Sequence, residues 1–124
     1  MRDNVVTHNH PVKFTGNYKH GGSLSMEDVT LAVYANAKEM RAVTGSYVYS
    51  LKRPKTGWGA TESVVKKAIK KIDKKVTTEV GSYIANYKGN SGTAVARAGI
   101  LIEHMRNKEL AKMFGWEYTR TKTK

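Results

Sequence analysis

The stretch Thr7-His8-Asn9-His10-Pro11, followed after a loop by Ser25-Met26-Glu27-Asp28, decides how this chain reads. Strand side chains repeat every second residue, so His-x-His sets the imidazoles of His8 and His10 on one side of an extended segment. Pro11 then ends the ladder, because proline has no N–H to donate. Ser-x-x-Asp places a hydroxyl and a carboxylate on the first turn of a helix. Two imidazole nitrogens and one aspartate oxygen make a three-ligand zinc set with a fourth position open to water. His8, His10 and Asp28 are therefore the candidate metal ligands, and zinc the candidate cofactor. The plainer reading is a capping box at Ser25 and two strand histidines bonded to their neighbours.

Outward from that stretch, the pattern predicts an α+β fold in a single domain, 1–124. A small mixed sheet is expected from strands near 4–8, 41–44 and 47–52, with Gly45-Ser46 turning the last two into a hairpin. Residues 11–24 read as a loop, with Phe14 and Tyr18 as anchors. A helix is predicted over 26–39, capped by Ser25, with Val29, Ala32, Val33, Ala37 and Met40 at core-facing spacing. Residues 54–61 form a turn-rich linker in which Trp58 plugs the core; base stacking is the second reading for that ring.

Beyond the linker, Thr61 caps a helix over 62–87 whose apolar stripe is Val65, Ile69, Ile72, Val76, Val80, Tyr83 and Tyr87. Lys66, Lys67, Lys70, Lys71, Lys74 and Lys75 fall on the opposite side, with only Asp73 among them. A last helix over 94–114 completes a helical hairpin, with Val95, Ala98, Ile102, Met105 and Met113 buried, His104 structural and Gly115 as its stop. The tail from Trp116 to Lys124 is either an edge strand or a disordered basic arm.

Charge narrows the function. The chain has 22 Lys and Arg against 10 Asp and Glu, a formal +12, and no cysteine. Residues 1–60 carry 8 basic and 4 acidic side chains, whereas residues 61–124 carry 14 and 6. A surplus gathered in one half points to a polyanionic partner, most often nucleic acid. The lysine run extends that reading, because acids that could neutralise it from neighbouring turns are nearly absent. Thiolate metal sites and disulfides are excluded. No apolar run reaches the roughly 20 residues of a membrane span, and no signal-peptide core opens the chain. A cytoplasmic protein, with no membrane partner, is expected.

His8-Asn9-His10-Pro11 followed by Ser25-x-x-Asp28 resembles the JAMM (MPN/JAB-type) metalloprotease family over residues 5–53. The resemblance implies that His8, His10 and Asp28 bind zinc and that Ser25 helps stabilise the tetrahedral intermediate. It also implies a glutamate on an earlier strand as general base. Two departures stand out. The spacer from Pro11 to Ser25 is longer than the family's, and the only acid before His8 is Asp3. General bases contribute about 10²–10⁴-fold, so weak hydrolysis or none is expected. Lys38-Glu39-Met40-Arg41-Ala42-Val43 and Tyr49-Ser50-Leu51 are similar to modules of phage head and mobile-element proteins.

Three functions follow as expectations. The first is a small basic protein of phage or mobile-element type, whose truncated JAMM-like core is catalytically degenerate. It would bind nucleic acid or a nucleoprotein through the six lysines, and inhibition of a host defence complex such as a CRISPR effector is one such role. The second is an active zinc-dependent isopeptidase or peptidase. The third is a structural phage protein contacting DNA. A nuclease is disfavoured, because the carboxylates are scattered rather than paired at site spacing.

Overall fold

The computed structural model describes residues 5–9, 23–85 and 91–123, with side chains at all of them except 8–9, 82–85 and 91–97. The fold is α+β. In chain order it runs β1 (Val5–Asn9), α1 (Met26–Tyr34), β2 (Glu39–Val43), β3 (Tyr47–Lys52), α2 (Glu62–Ala85), α3 (Ser91–Phe114) and β4 (Glu117–Lys122). The sheet order is β1-β2-β3-β4, with β1 parallel to β2 and the other two pairings antiparallel. A parallel pair needs a crossover, and α1 supplies it.

α1 starts where two backbone N–H groups find side-chain acceptors. Ser25 Oγ accepts from the Asp28 N–H at 3.1 Å, and Asp28 Oδ2 accepts from the Ser25 N–H at 3.1 Å. This reciprocal pair is a capping box. The helix ends at Tyr34, five residues short of the predicted Glu39. Asn36 takes the left-handed conformation at φ 52°, while Asn36 N–H donates to Val33 O and Ala37 N–H to Ala32 O. Those two bonds satisfy the last carbonyls and turn the chain out of the helix. The apolar spacing misleads here because Ala37 and Met40 are buried all the same, the latter as part of β2.

β2 and β3 meet in the expected hairpin. Glycine freedom does not close it: Gly45 has no positive φ. Thr44 Oγ1 accepts from the backbone N–H of Ser46 and of Tyr47, and Thr44 N–H donates to Tyr47 O. Met40, Ala42, Tyr49 and Leu51 are buried on one face of the sheet, where α1 packs on β2 and α3 on β4. α2 packs on α1 and α3 with Val65, Ile69, Ile72, Val76 and Val80 buried, as the stripe predicts. The side chain of Tyr83, and Tyr87 entirely, lie outside the described residues.

Trp58 does plug the core. Its indole N–H donates to Ala37 O at 3.0 Å, and Trp116 donates to Trp58 O at 2.6 Å. The two rings meet edge to face at 5.0 Å. At 4% exposure Trp58 has no ring face to offer a base, which removes the stacking reading. α3 begins three residues before the predicted start, and Gly115, at φ 74°, ends it. Met113, expected inside, is 56% exposed. The buried side of α3 runs instead through Ala98, Arg106, Asn107, Leu110 and Ala111. The tail is a strand: β4 pairs with β3 from Glu117↔Lys52 to Lys122↔Tyr47.

Candidate functional site

The Ser-x-x-Asp turn sits where a parallel crossover puts it. β1 and β2 run the same way, so α1 carries the chain back and begins at the end of the sheet toward which β1 points. Ser25 and Asp28 are on its first turn, and Asp28 is buried. The capping bond uses a lone pair of Ser25 Oγ and leaves its O–H as a donor. His8 holds a backbone position opposite Ala42, but its side chain, and His10 altogether, lie outside the described residues. Among the described residues no three His, Asp or Glu side chains come together as a metal site.

Glu39 sits at the opposite end of β1 from His8. Glu39 pairs with Val5, at the end of β1 away from Asn9 and about 13 Å along a strand of 3.3 Å per residue. Its carboxylate is committed elsewhere. Glu39 Oε2 accepts from Ser50 Oγ at 2.6 Å and from Arg41 Nε at 2.7 Å. Burial pushes this carboxyl up, but those two hydrogen bonds and the charges of Arg41 and Lys52 outweigh it and hold it below its ordinary value. Glu27, beside the capping aspartate, is exposed on α1.

A second polar cluster ties the start of α1 to α3 and β4. Asn107 Nδ2 donates to Leu24 O at 2.9 Å and to Ser23 Oγ at 3.1 Å, and Arg106 Nη2 donates to Leu24 O at 2.6 Å. Ser23 Oγ meets the Tyr118 hydroxyl at 2.6 Å, which meets His104 Nδ1 at 2.8 Å. Burial lifts the Tyr118 phenol well above its usual range, so it stays protonated. Burial, then the charges of Arg120 and Lys108, lower His104 to about 4. The segment leading into Ser25 is thus held by neutral hydrogen bonds and one buried guanidinium. Pattern reading found none of this beyond a structural His104. The one available signal was Arg106-Asn107 interrupting the apolar side of a helix.

The lysine face has the opposite character. Lys66, Lys67, Lys70, Lys71, Lys74 and Lys75 are all exposed. They form two rows at i, i+4 spacing, in which neighbours are about 6 Å apart along the axis. Asp73, the one acid inside the run, turns to Arg106 at 3.6 Å on α3. Among the described residues none of the six lysines lies within ion-pair distance of an acid. Glu62 and Glu79 flank the run on either side. The chain matches no family model, no curated protein and no solved structure. No helix among the described residues is long and apolar enough to cross a membrane.

Proposed function

We propose that this protein binds nucleic acid or a nucleoprotein through the lysine face of α2, with the JAMM-like half serving as scaffold rather than catalyst. The observation that carries this reading is the turn of Asp73 toward Arg106, which leaves six exposed lysines with no acid among them. Aligned cations without partners repel one another, and phosphates at similar spacing relieve that repulsion by releasing counterions. The neighbours of the lysines on that face are Ser63, Val64, Thr77 and Thr78, with no Arg, Asn or Gln to pair bidentately with a base edge. The six lysines would act chiefly through phosphates, a contribution that does not depend on sequence.

Fluorescence anisotropy with a labelled duplex at rising salt tests this. Contact with six phosphates gives a log K against log [salt] slope of about −5. Lys66→Glu, Lys70→Glu and Lys74→Glu together should abolish binding at physiological salt. Unchanged affinity in that variant rules out the surface.

A second reading, a zinc-dependent peptidase of JAMM type, is favoured by the parallel crossover that starts α1 with Ser25 and Asp28 at the end of the sheet toward which β1 runs. His8, His10 and Asp28 would hold the ion, and the ion would supply a polarised water. Elemental analysis of untagged protein decides it: one zinc per chain, lost in His8→Ala, is expected on this reading, and a zinc-free wild type ends it.

A further inference from the structure

An open pocket of about 220 Å³ between α3 and β4 is lined by His104, Lys108, Tyr118 and Arg120. Lys108 follows His104 by one helical turn, and Arg120 follows Tyr118 by two strand positions, so each pair shares a face. Arg120 is steadied by the Tyr47 ring, with its guanidinium carbon 4.6 Å from the ring centroid. The His104 ring lies 5.9 Å from Tyr49 and 5.5 Å from Tyr118. No carboxylate lines the pocket.

The hydrogen bonds behind the pocket can run in two directions. Asn107 Nδ2 can only donate, so Ser23 Oγ accepts from it and retains one proton and one lone pair, with which it can either donate to Tyr118 or accept from it. When Ser23 donates to Tyr118, Tyr118 donates to His104 Nδ1 and the imidazole proton sits on Nε2, the tautomer that leaves a donor for a ligand. A chain of donors polarised one way strengthens the last of them.

We propose that this pocket binds a phosphoryl group, with Lys108 and Arg120 supplying positive charge and His104 a neutral N–H donor. Drug-sized ligands occupy roughly 300–1,000 Å³, so a cavity this small takes one group of a ligand rather than all of it. Three donors on three side chains match the three terminal oxygens of a phosphate monoester better than the two of a carboxylate. A planar arginine fork beside a lysine point charge is the usual pairing for that group. The low proton affinity of His104 fits: its ring is uncharged at pH 7 and lies in an unneutralised positive field. This site does not rest on the lysine face of α2, because both cations come from other elements.

The ligand is either a free phosphate ester or a phosphate of a nucleic acid, and one experiment separates them. The His104 ring resonances are followed by NMR at pH 7 while inorganic phosphate is added, against chloride at equal ionic strength. A saturable shift is expected, half-complete on the order of 1 mM. Lys108→Ala with Arg120→Ala should raise that midpoint at least tenfold, and the exposed Lys108→Glu alone should do the same. Lys70→Gln with Lys71→Gln should leave it unchanged, even where that variant weakens duplex binding. An oligonucleotide with a 5′-phosphate that shifts His104 while its 5′-hydroxyl twin does not identifies a terminal phosphate. Shifts from both identify a backbone phosphate, and shifts from neither leave a free ester as the ligand. No shift beyond that of chloride, or an unaltered midpoint in both Lys108 variants, overturns the proposal.

Discussion

The outer face of α2 and the inner face of α3 are both polar stretches of 24-residue helices, and they spend their polarity in opposite ways. On α3, Arg106 and Asn107 are 5% and 1% exposed, and each donates to neighbouring carbonyl or hydroxyl oxygens. On α2, six lysines are exposed and none lies within ion-pair distance of an acid among the described residues. The α3 groups are committed to the fold. The α2 charges make no ion pair among the described residues and face solvent, where a partner can reach them. Asp73 is the link between the two: by facing Arg106 it serves α3 and strips the lysine run of the one acid inside it.

The sharpest way to break this contrast is to cut the α3 side. Arg106→Ala removes the donor to Leu24 O and the cation beside Asp73, whose Oδ1 is already buried without a partner. Losing one member of a buried charged pair costs about 3–5 kcal/mol; because Asp73 is about a third exposed, a loss near 3 kcal/mol is expected in urea unfolding. A loss below about 1 kcal/mol would mean that α3 does not depend on this cluster. Tyr118→Phe is the next step down. It deletes the hydroxyl between Ser23 and His104 while keeping the ring, and should cost about 1–3 kcal/mol by leaving both partners short.

Acid should act on the same cluster before it reaches the sheet. His104 titrates near 4 when folded against 6.5 in its ordinary state, so the unfolded chain binds more protons between those values. Stability therefore falls as pH drops from 6.5 toward 4. Glu39 works in the next window down. Its folded value lies below 4.5, so its contribution is intact above that pH and is lost as pH falls through the folded value. Thermal melts across pH 7 to 3 should show both phases, with His104→Gln flattening the first and Glu39→Gln the second.

What the sequence made legible follows from what patterns encode. Apolar spacing found α2 and its stripe, because a solvent-facing helix on a core has one buried side. Ser25-x-x-Asp28 marked the start of α1, since a cap is a local event. The end of α1 was misplaced because Ala37 and Met40 stay buried after the helix stops; burial is a tertiary fact that two kinds of secondary structure can share. Met113 was misplaced for the converse reason. The docking side of α3 carries Arg106 and Asn107, and a pattern that assigns such residues to water rotates the helix. The phosphoryl pocket was invisible because its residues come from two elements, α3 and β4, that meet only when α3 folds back against the strand.

The smallest expected effect on stability is also the most telling, because its sign is fixed in advance. Lys70 has like charges at i±4 in Lys66 and Lys74, and Lys71 has them in Lys67 and Lys75. Each such pair destabilises a helix by about 0.2–0.5 kcal/mol at low salt. Lys70→Gln with Lys71→Gln relieves four of them without touching a buried atom, so the protein should become more stable by roughly 1–2 kcal/mol. The gain should shrink as salt rises, since exposed charges are screened within about 10 Å at 0.1 M. The same variant should bind duplex with a salt slope shallower by about 2. A surface kept at a cost to its own helix, and repaid only when a polyanion is present, behaves as a binding face. If the double variant instead loses stability, the lysines are holding α2 in place, and the contrast with α3 disappears.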